Sequence, residues 1–339
     1  MMHRPLKKRL FLFLILGCIT IGSGSWGFLV HRTVNQLAIY QLKGDLREFF
    51  FKNKDYLVQN APRPDQRRNT DSTEATKHFI DLEPFGDSSA WKMPASWEDA
   101  AKLYSKDTLL KYGYVPYVIQ DIHQKLTNAF RQQNKDSILF YAADLGHYIG
   151  DANVPLHTTI NYDGQLSGQD GLHSLWESFI PDIELNNYNL KGDRKANYLD
   201  NPDEAIWEAI RRAHKLVPDM LNKEIEVSKK FTDATKFKTE LRRGKEIKRY
   251  SREFAVAYAD ALRPTINEQL IHSANLIADF WYTAWVNGGK PDMEKINNGF
   301  TKADKKQLKK EVKSYRNNTL IKDSLLMSRQ PSKTSGSSE

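Results

Sequence analysis

Cysteine is nearly missing: a single one, Cys18, occurs in 339 residues. Disulfides within the chain are therefore excluded, as are zinc or redox sites built on several thiolates. Long apolar runs are equally scarce. The longest near the start, "LFLFLILGCITIG", is too short to span a bilayer alone. Runs alternating between polar and apolar residues, the mark of half-buried strands, are also lacking, and no internal repeat is visible. The formal charge of +8 is unevenly placed. Residues 1–25 hold four basic side chains and no acid, and residues 302–339 hold ten basic and four acidic ones. The span 26–301 is left with a net charge of −2. A broad basic groove for nucleic acid is not expected from that span.

The start of the chain reads as an export signal. "MMHRPLKKR" is a basic segment, the apolar stretch follows, and "SGS" at 23–25 places small residues before Trp26. Cleavage there predicts a mature chain that begins at Trp26, without cysteine and without a transmembrane segment. It would be exported to the periplasm or secreted. The alternative is a lipoprotein anchored at Cys18, the last residue of "ILGC", although Ile15 stands where such boxes prefer leucine.

Beyond the signal the pattern is helical. Apolar residues recur at helical spacing over 33–50, in "YVPYVIQDIHQKLTNAFRQQ", and in "DSILFYAADLGHYIGD", where Asp136 is a candidate cap and Pro155 a stop. "PDEAIWEAIRRAHKLVPDML" continues the pattern. Residues 252–288 read as a pair of core helices, with Arg263 and Pro264 inside. "FWYTAW" at 280–285 reads as core. The expected domains are a signal peptide at 1–25, one helical domain at 26–317, and a polar, disordered tail at 318–339.

The chemistry is concentrated in "GHYIGDANVPLHTT". His147 and Asp151 are four apart and share a helix face, and His157 follows. "HSLWE" repeats the spacing with His173 and Glu177. Imidazole and carboxylate together suit zinc. One such pair is commonplace, since a lone histidine is more often structural. Two pairs with a histidine between them point to metal.

These residues resemble a superfamily that unites bacterial zinc-dependent phospholipases C with single-strand-specific zinc nucleases. The shared pattern is an N-terminal Trp, a nearby His, a loop Asp, a further His, then H-x3-D-x5-H and H-x3-D/E. Here it reads Trp26, His31, Asp65, His78, His147, Asp151, His157, His173 and Glu177. The resemblance covers 26–180 in motifs and extends to about 290 in helical pattern. It implies an all-α fold, a single multi-helix domain around a trinuclear zinc cleft. Asp65, His78, His147 and Asp151 would hold one zinc, and His157, His173 and Glu177 a second. His31, the bridging Asp151 and the free amine and carbonyl of Trp26 would hold the third. Asp65 is also the candidate catalytic carboxylate, and Arg68 the candidate phosphate contact. With +6 on the ions and three carboxylates, such a site keeps a positive charge for a phosphate.

The expected activity is phosphodiester hydrolysis. The substrate reading leans to a phospholipase C with an unknown head group, because Glu177 and the short gap from His157 to His173 look like that branch. The alternative is a single-strand nuclease or nucleotidase, whose spacing from Trp26 to His31 is matched. Neither pocket is reproduced. Gln66 and Ala75 stand where the phosphatidylcholine enzymes carry aromatics, Leu29 where they carry an acid, and Ser178 where nucleases often carry Asn. A third reading is an exported protein that zinc merely stabilises. No stable protein partner is indicated.

Overall fold

The computed structural model describes residues 27–330 apart from Arg243 and Asn298. Trp26, Cys18 and the whole export signal lie outside the described residues. Seven helices of nine residues or more carry the frame. They are α1 (Gly27–Gln41), α2 (Gly44–Lys52), α3 (Val115–Arg131), α4 (Lys135–Asp151), α5 (Pro202–Ser228), α6 (Arg252–Asn287) and α7 (Lys302–Arg316). The fold is all-α, and among the described residues no helix is long and apolar enough to cross a membrane.

Local chemistry explains most boundaries. The periodicity over 33–50 predicts one helix, but the chain breaks into α1 and α2. Lys43 is extended and Gly44 takes φ +55, a left-handed conformation open to glycine at little cost. At α4 the cap is Asn134, not Asp136: its side chain accepts from Ser137 N at 3.0 Å. The expected pair of helices at 252–288 is one continuous helix, α6, with Pro264 inside. Packing of its long apolar face outweighs the lost hydrogen bond. One hairpin, β1 (Phe237–Arg242) against β2 (Lys245–Tyr250), escaped the periodicity reading. Its strands are short and largely charged, and Gly244 at φ +76 turns the tight loop.

The core sits where α1, α3 and α4 meet α6. Phe50 and Trp281 pack with their rings tilted by 31° and centroids 4.7 Å apart, and the Trp281 indole donates to Ala142 O at 3.0 Å. Phe280 and Trp281 are fully buried, so "FWYTAW" is core at its heart.

Residues 318–330 are not a free tail, and the rest of the expected tail, 331–339, lies outside the described residues. Gln36 donates through Nε2 to Leu325 O and accepts at Oε1 from Met327 N, both at 2.8 Å. Leu320 and Leu326 are buried. A polar composition suggested disorder, but these leucines supply an apolar anchor that covers α1.

Candidate metal centre

Helix α4 delivers the central pair. His147 and Asp151, one turn apart, are both buried. Helix α1 runs close beside it because α4 carries glycine at the crossing. A Cβ on Gly146 would lie 2.1 Å from Asn35 Oδ1, and one on Gly150 would lie 2.9 Å from His31 Nδ1. The stretch after Pro62 brings Asp65 on the short helix Arg63–Arg67, and the turn Ala75–Lys77 delivers His78. The turn Pro155–Thr158 delivers His157. His173 and Glu177 lie on a helical segment that widens to a π-turn at Leu175–Phe179.

The first cluster groups His78, His147 and Asp151, with Asp65 at its edge in a separate grouping with His31 and His147. His147 Nδ1 lies 2.9 Å from Ala61 O, which makes that nitrogen the donor. Its Nε2 lone pair then faces inward, 3.1 Å from His78 Nδ1 and 3.2 Å from Asp151 Oδ2. Asp65 Oδ1 is 3.8 Å from His78 Nδ1 and 3.9 Å from His147 Nε2. The second cluster is built the same way. His157 Nδ1 meets His78 O at 2.9 Å, and its Nε2 faces His173 Nε2 at 3.1 Å and Glu177 Oε2 at 3.5 Å.

The third cluster groups His31, Asp151 and Glu177. Asp151 is the hinge of the site. Its Oδ2 faces His78 at 2.9 Å, and its Oδ1 faces His31 Nε2 at 3.4 Å. Glu177 also faces two ways. Its Oε2 meets the second cluster, while its Oε1 lies against Gly27, the first described residue of α1. The sequence reading gave Glu177 to one ion only; its place beside His31 and Asp151 goes further.

These donors fit zinc. A tetrahedral ion with ligands at about 2.1 Å separates its donor atoms by about 3.4 Å. The separations in the first two clusters bracket that value. The chemistry is right as well: imidazole nitrogens are aimed at one another around carboxylates.

The titration behaviour follows from the crowding. Burial works to raise Asp151, but His147, His157 and His31 hold it well below the usual carboxylate range. Glu177 is held low against burial by His157 and His173. Burial works to lower His78, yet Asp151 and Glu74 push it up to about 9. His147, penalised by burial and by the charge of His31, is lowered. Asp81 is buried nearby, and among the described residues no hydrogen bond joins its side chain to that of His78. Burial and the charge of Glu83 push its carboxyl up to about 7.

Arg68 lies at the mouth, half exposed, 3.8 Å from Asp65 Oδ1. Its neighbour Arg67 turns inward to Asp144, Glu74 and Tyr148. The profile of S1/P1 nucleases matches residues 26–281.

The chain belongs to the S1/P1 nuclease family. Its members are zinc-dependent hydrolases of phosphoric ester bonds, and the His and Asp groups here are placed for that metal. Among solved structures, the alpha-toxin of Clostridium perfringens from avian strain SWCP is similar at 14% identity and a TM-score of 0.48. The likeness covers 81% of this chain and 65% of that one, so the chain spans about two thirds of the toxin's length. No curated protein matches.

Behind this nuclease-family site lies a layer that the sequence did not disclose. Glu74 is fully buried and bonds Arg67, Lys77 and the Tyr148 hydroxyl, with His78 Nε2 3.7 Å away. Asp144 takes Arg63 and Arg67. Glu74 and His78 do show the four-residue spacing of the other pairs. In a Ser/Thr-rich loop, however, that spacing does not imply a shared face. His123, as expected, is structural: it is packed edge-on to Phe280, and burial pushes it down to about 4.

Proposed function

We propose that this protein cleaves phosphodiester bonds of single-stranded nucleic acid or nucleotides, with three zinc ions held by the three clusters. The observation that carries this reading is the family match over 26–281, which tips the substrate from lipid to nucleotide. Asp65, His78, His147 and Asp151 would hold one ion, and His157, His173 and Glu177 another. His31 and Asp151, with the amine and carbonyl of Trp26 after cleavage, would hold the last; Gly27 beside Glu177 supports a terminus at that spot. Bound zinc supplies Lewis acidity toward a phosphoryl oxygen and acidifies water at neutral pH.

The chain's own residues do the rest. Asp65 is the most exposed of the site carboxylates, 18% against 1% for Asp151 and 14% for Glu177. It would accept a proton from water entering the mouth. Arg68 offers a planar, charged donor set to the phosphate at that edge. Ala61 O and His78 O hold His147 and His157 in the tautomers that keep their inner nitrogens free. Export and signal cleavage before Trp26 belong to the same proposal.

The test is a substrate panel of single-stranded DNA, RNA, p-nitrophenyl phosphocholine and mixed phospholipids, with zinc-loaded and chelated protein. Single-strand cleavage that EDTA abolishes is expected. Faster turnover of a phospholipid would restore the lipase reading, and no hydrolysis at all would leave the metals a purely stabilising role.

A further inference from the structure

The basic excess at the C-terminal end has a structural address. Helix α7 sets Lys305, Lys309, Lys313 and Arg316 along one face, and with Arg47 of α2 they line a groove of about 400 Å³. Glu48 is its one acidic lining residue. Leu308 and Val312 form its floor.

Among the described residues these cations form no ion pair, and Glu48 offsets only Arg47, from a distance. Among the described residues, no carboxylate lies within 4.0 Å of any of the five, whereas Lys54, Lys77 and Lys236 elsewhere are all paired. The two acids of α7 are committed otherwise. Asp304 closes a capping box with Thr301, and Glu311 turns inward to Tyr40, Gln307 and Lys54. Arg47 Nε is buried without a hydrogen-bond partner. The repulsion reaches Lys195, which burial and then the charges of Arg47, Arg316 and Lys43 push down from the usual lysine range. Like charges gathered in a concave surface favour an anion with several charges in a row.

We propose that this groove binds the phosphate backbone of a single-stranded nucleic acid, outside the metal cleft. The identity of the polyanion rests on the nuclease reading; its charge does not. The groove lies at the far end of α1 from His31, where Tyr40 bonds Glu311 and Gln41 meets Tyr315. Ten residues of helix separate His31 from Gln41, roughly 15 Å. A strand of several nucleotides spans that distance, whereas a single nucleotide does not. A lipid surface fits less well. Membrane-docking helices turn apolar side chains outward, but Leu308 and Tyr315 of α7 are buried in the core.

The experiment measures binding of a fluorescent oligothymidylate by anisotropy in EDTA, so that no strand is cut and the metal-free cleft, rich in carboxylates, repels it. The test variant is Lys309→Gln, Lys313→Gln and Arg316→Gln combined, all exposed positions where glutamine suits a helix. A control removes the same charge at Lys102, Lys125 and Lys229, each paired with a carboxylate elsewhere. Binding at low salt should weaken at least tenfold in the groove variant, and its log–log salt slope should fall by about 2. The control should bind like the parent, and so should a groove variant with Lys309 and Lys313 changed to arginine. Equal binding by the groove variant, or equal loss in the control, would overturn the proposal. So would groove-dependent binding to phosphatidylserine vesicles without binding to the strand. Hydrolysis of bis-p-nitrophenyl phosphate by zinc-loaded protein is read separately. Its failure would indict the catalytic reading and leave the binding result intact.

Discussion

The imidazole of His31 stacks on that of His147, with ring centroids 3.9 Å apart and planes inclined by 25°. The two residues come from α1 and α4, and the stack exists because α4 presents glycine to α1 at the crossing. Gly146 and Gly150 keep the crossing open opposite Asn35 and His31, one turn apart on each helix.

Gly146→Ala should therefore destabilise the fold. Alanine gains about 1 kcal/mol of helix propensity over glycine. A methyl 2.1 Å from Asn35 Oδ1 forces α1 away, an overpacking cost of about 1–3 kcal/mol. A lower denaturant midpoint is expected. Gly150→Ala, with a 2.9 Å approach to His31 Nδ1, should be milder for the fold but weaken metal uptake. Calorimetry of zinc binding to the two variants separates these effects.

Metal analysis of the zinc-loaded protein should give close to three ions per chain. Asp151→Ala should lose more than one of them, because its two oxygens face different clusters. His173→Ala should lose about one. A parent value of one ion, or equal losses in both variants, contradicts the bridging role.

Arg68→Ala should lower kcat/KM on the cleaved substrate by roughly 10- to 100-fold and leave stability within about 0.5 kcal/mol, since the side chain is half exposed and only loosely paired. Arg67→Ala should do the reverse, costing stability through the stranded charges of Asp144 and Glu74. Parallel kinetics and urea melts distinguish the two neighbours.

Glu74 is held well below the ordinary carboxylate range: burial works to raise it, and contacts with His78, Lys77, Tyr148 and Arg67 win. A carboxyl depressed on folding adds stability above its unfolded value, near 4.5, and loses it as the pH falls from there toward its folded value. Metal-free protein should accordingly lose stability as the pH drops below about 4.5. Glu74→Gln should flatten that part of the profile, as read from denaturant midpoints at stepped pH.

Much of the centre was legible in the sequence because helices impose fixed offsets. His147 with Asp151 and His173 with Glu177 announce themselves by spacing, and the structure gathers each pair with a further histidine. Asp65, His78 and His31 have no such local mark, and only the family pattern places them. The supporting layer of Glu74, Asp144 and Tyr148 depends on contacts between distant segments and was invisible. The fold class was plain, but local backbone choices were not. Gly44 splits a helix, Asn134 displaces Asp136 as a cap, and α6 runs through Pro264. The reading of 318–339 as a disordered tail fails over 318–330 for a related reason: composition averages hide two well-placed leucines.

That last segment also sets an order of assembly. Ser328 meets Thr33, and Met327 meets Gln36, across separations of 295 and 291 residues. The helix that carries His31 thus receives its cover from a segment made long after it. A partly synthesised chain holds the pairs on α4 and the 172–184 segment but cannot seal α1 against solvent. Contacts of such length form late and slowly. Readiness for metal is in this sense coupled to synthesis of the segment from Leu320 to Ser328, and a chain cut short before Leu320 should gain helices without gaining a finished centre. Circular dichroism and zinc uptake measured on the same truncated chain would part company if this is so, and would fall together if α1 closes on its own.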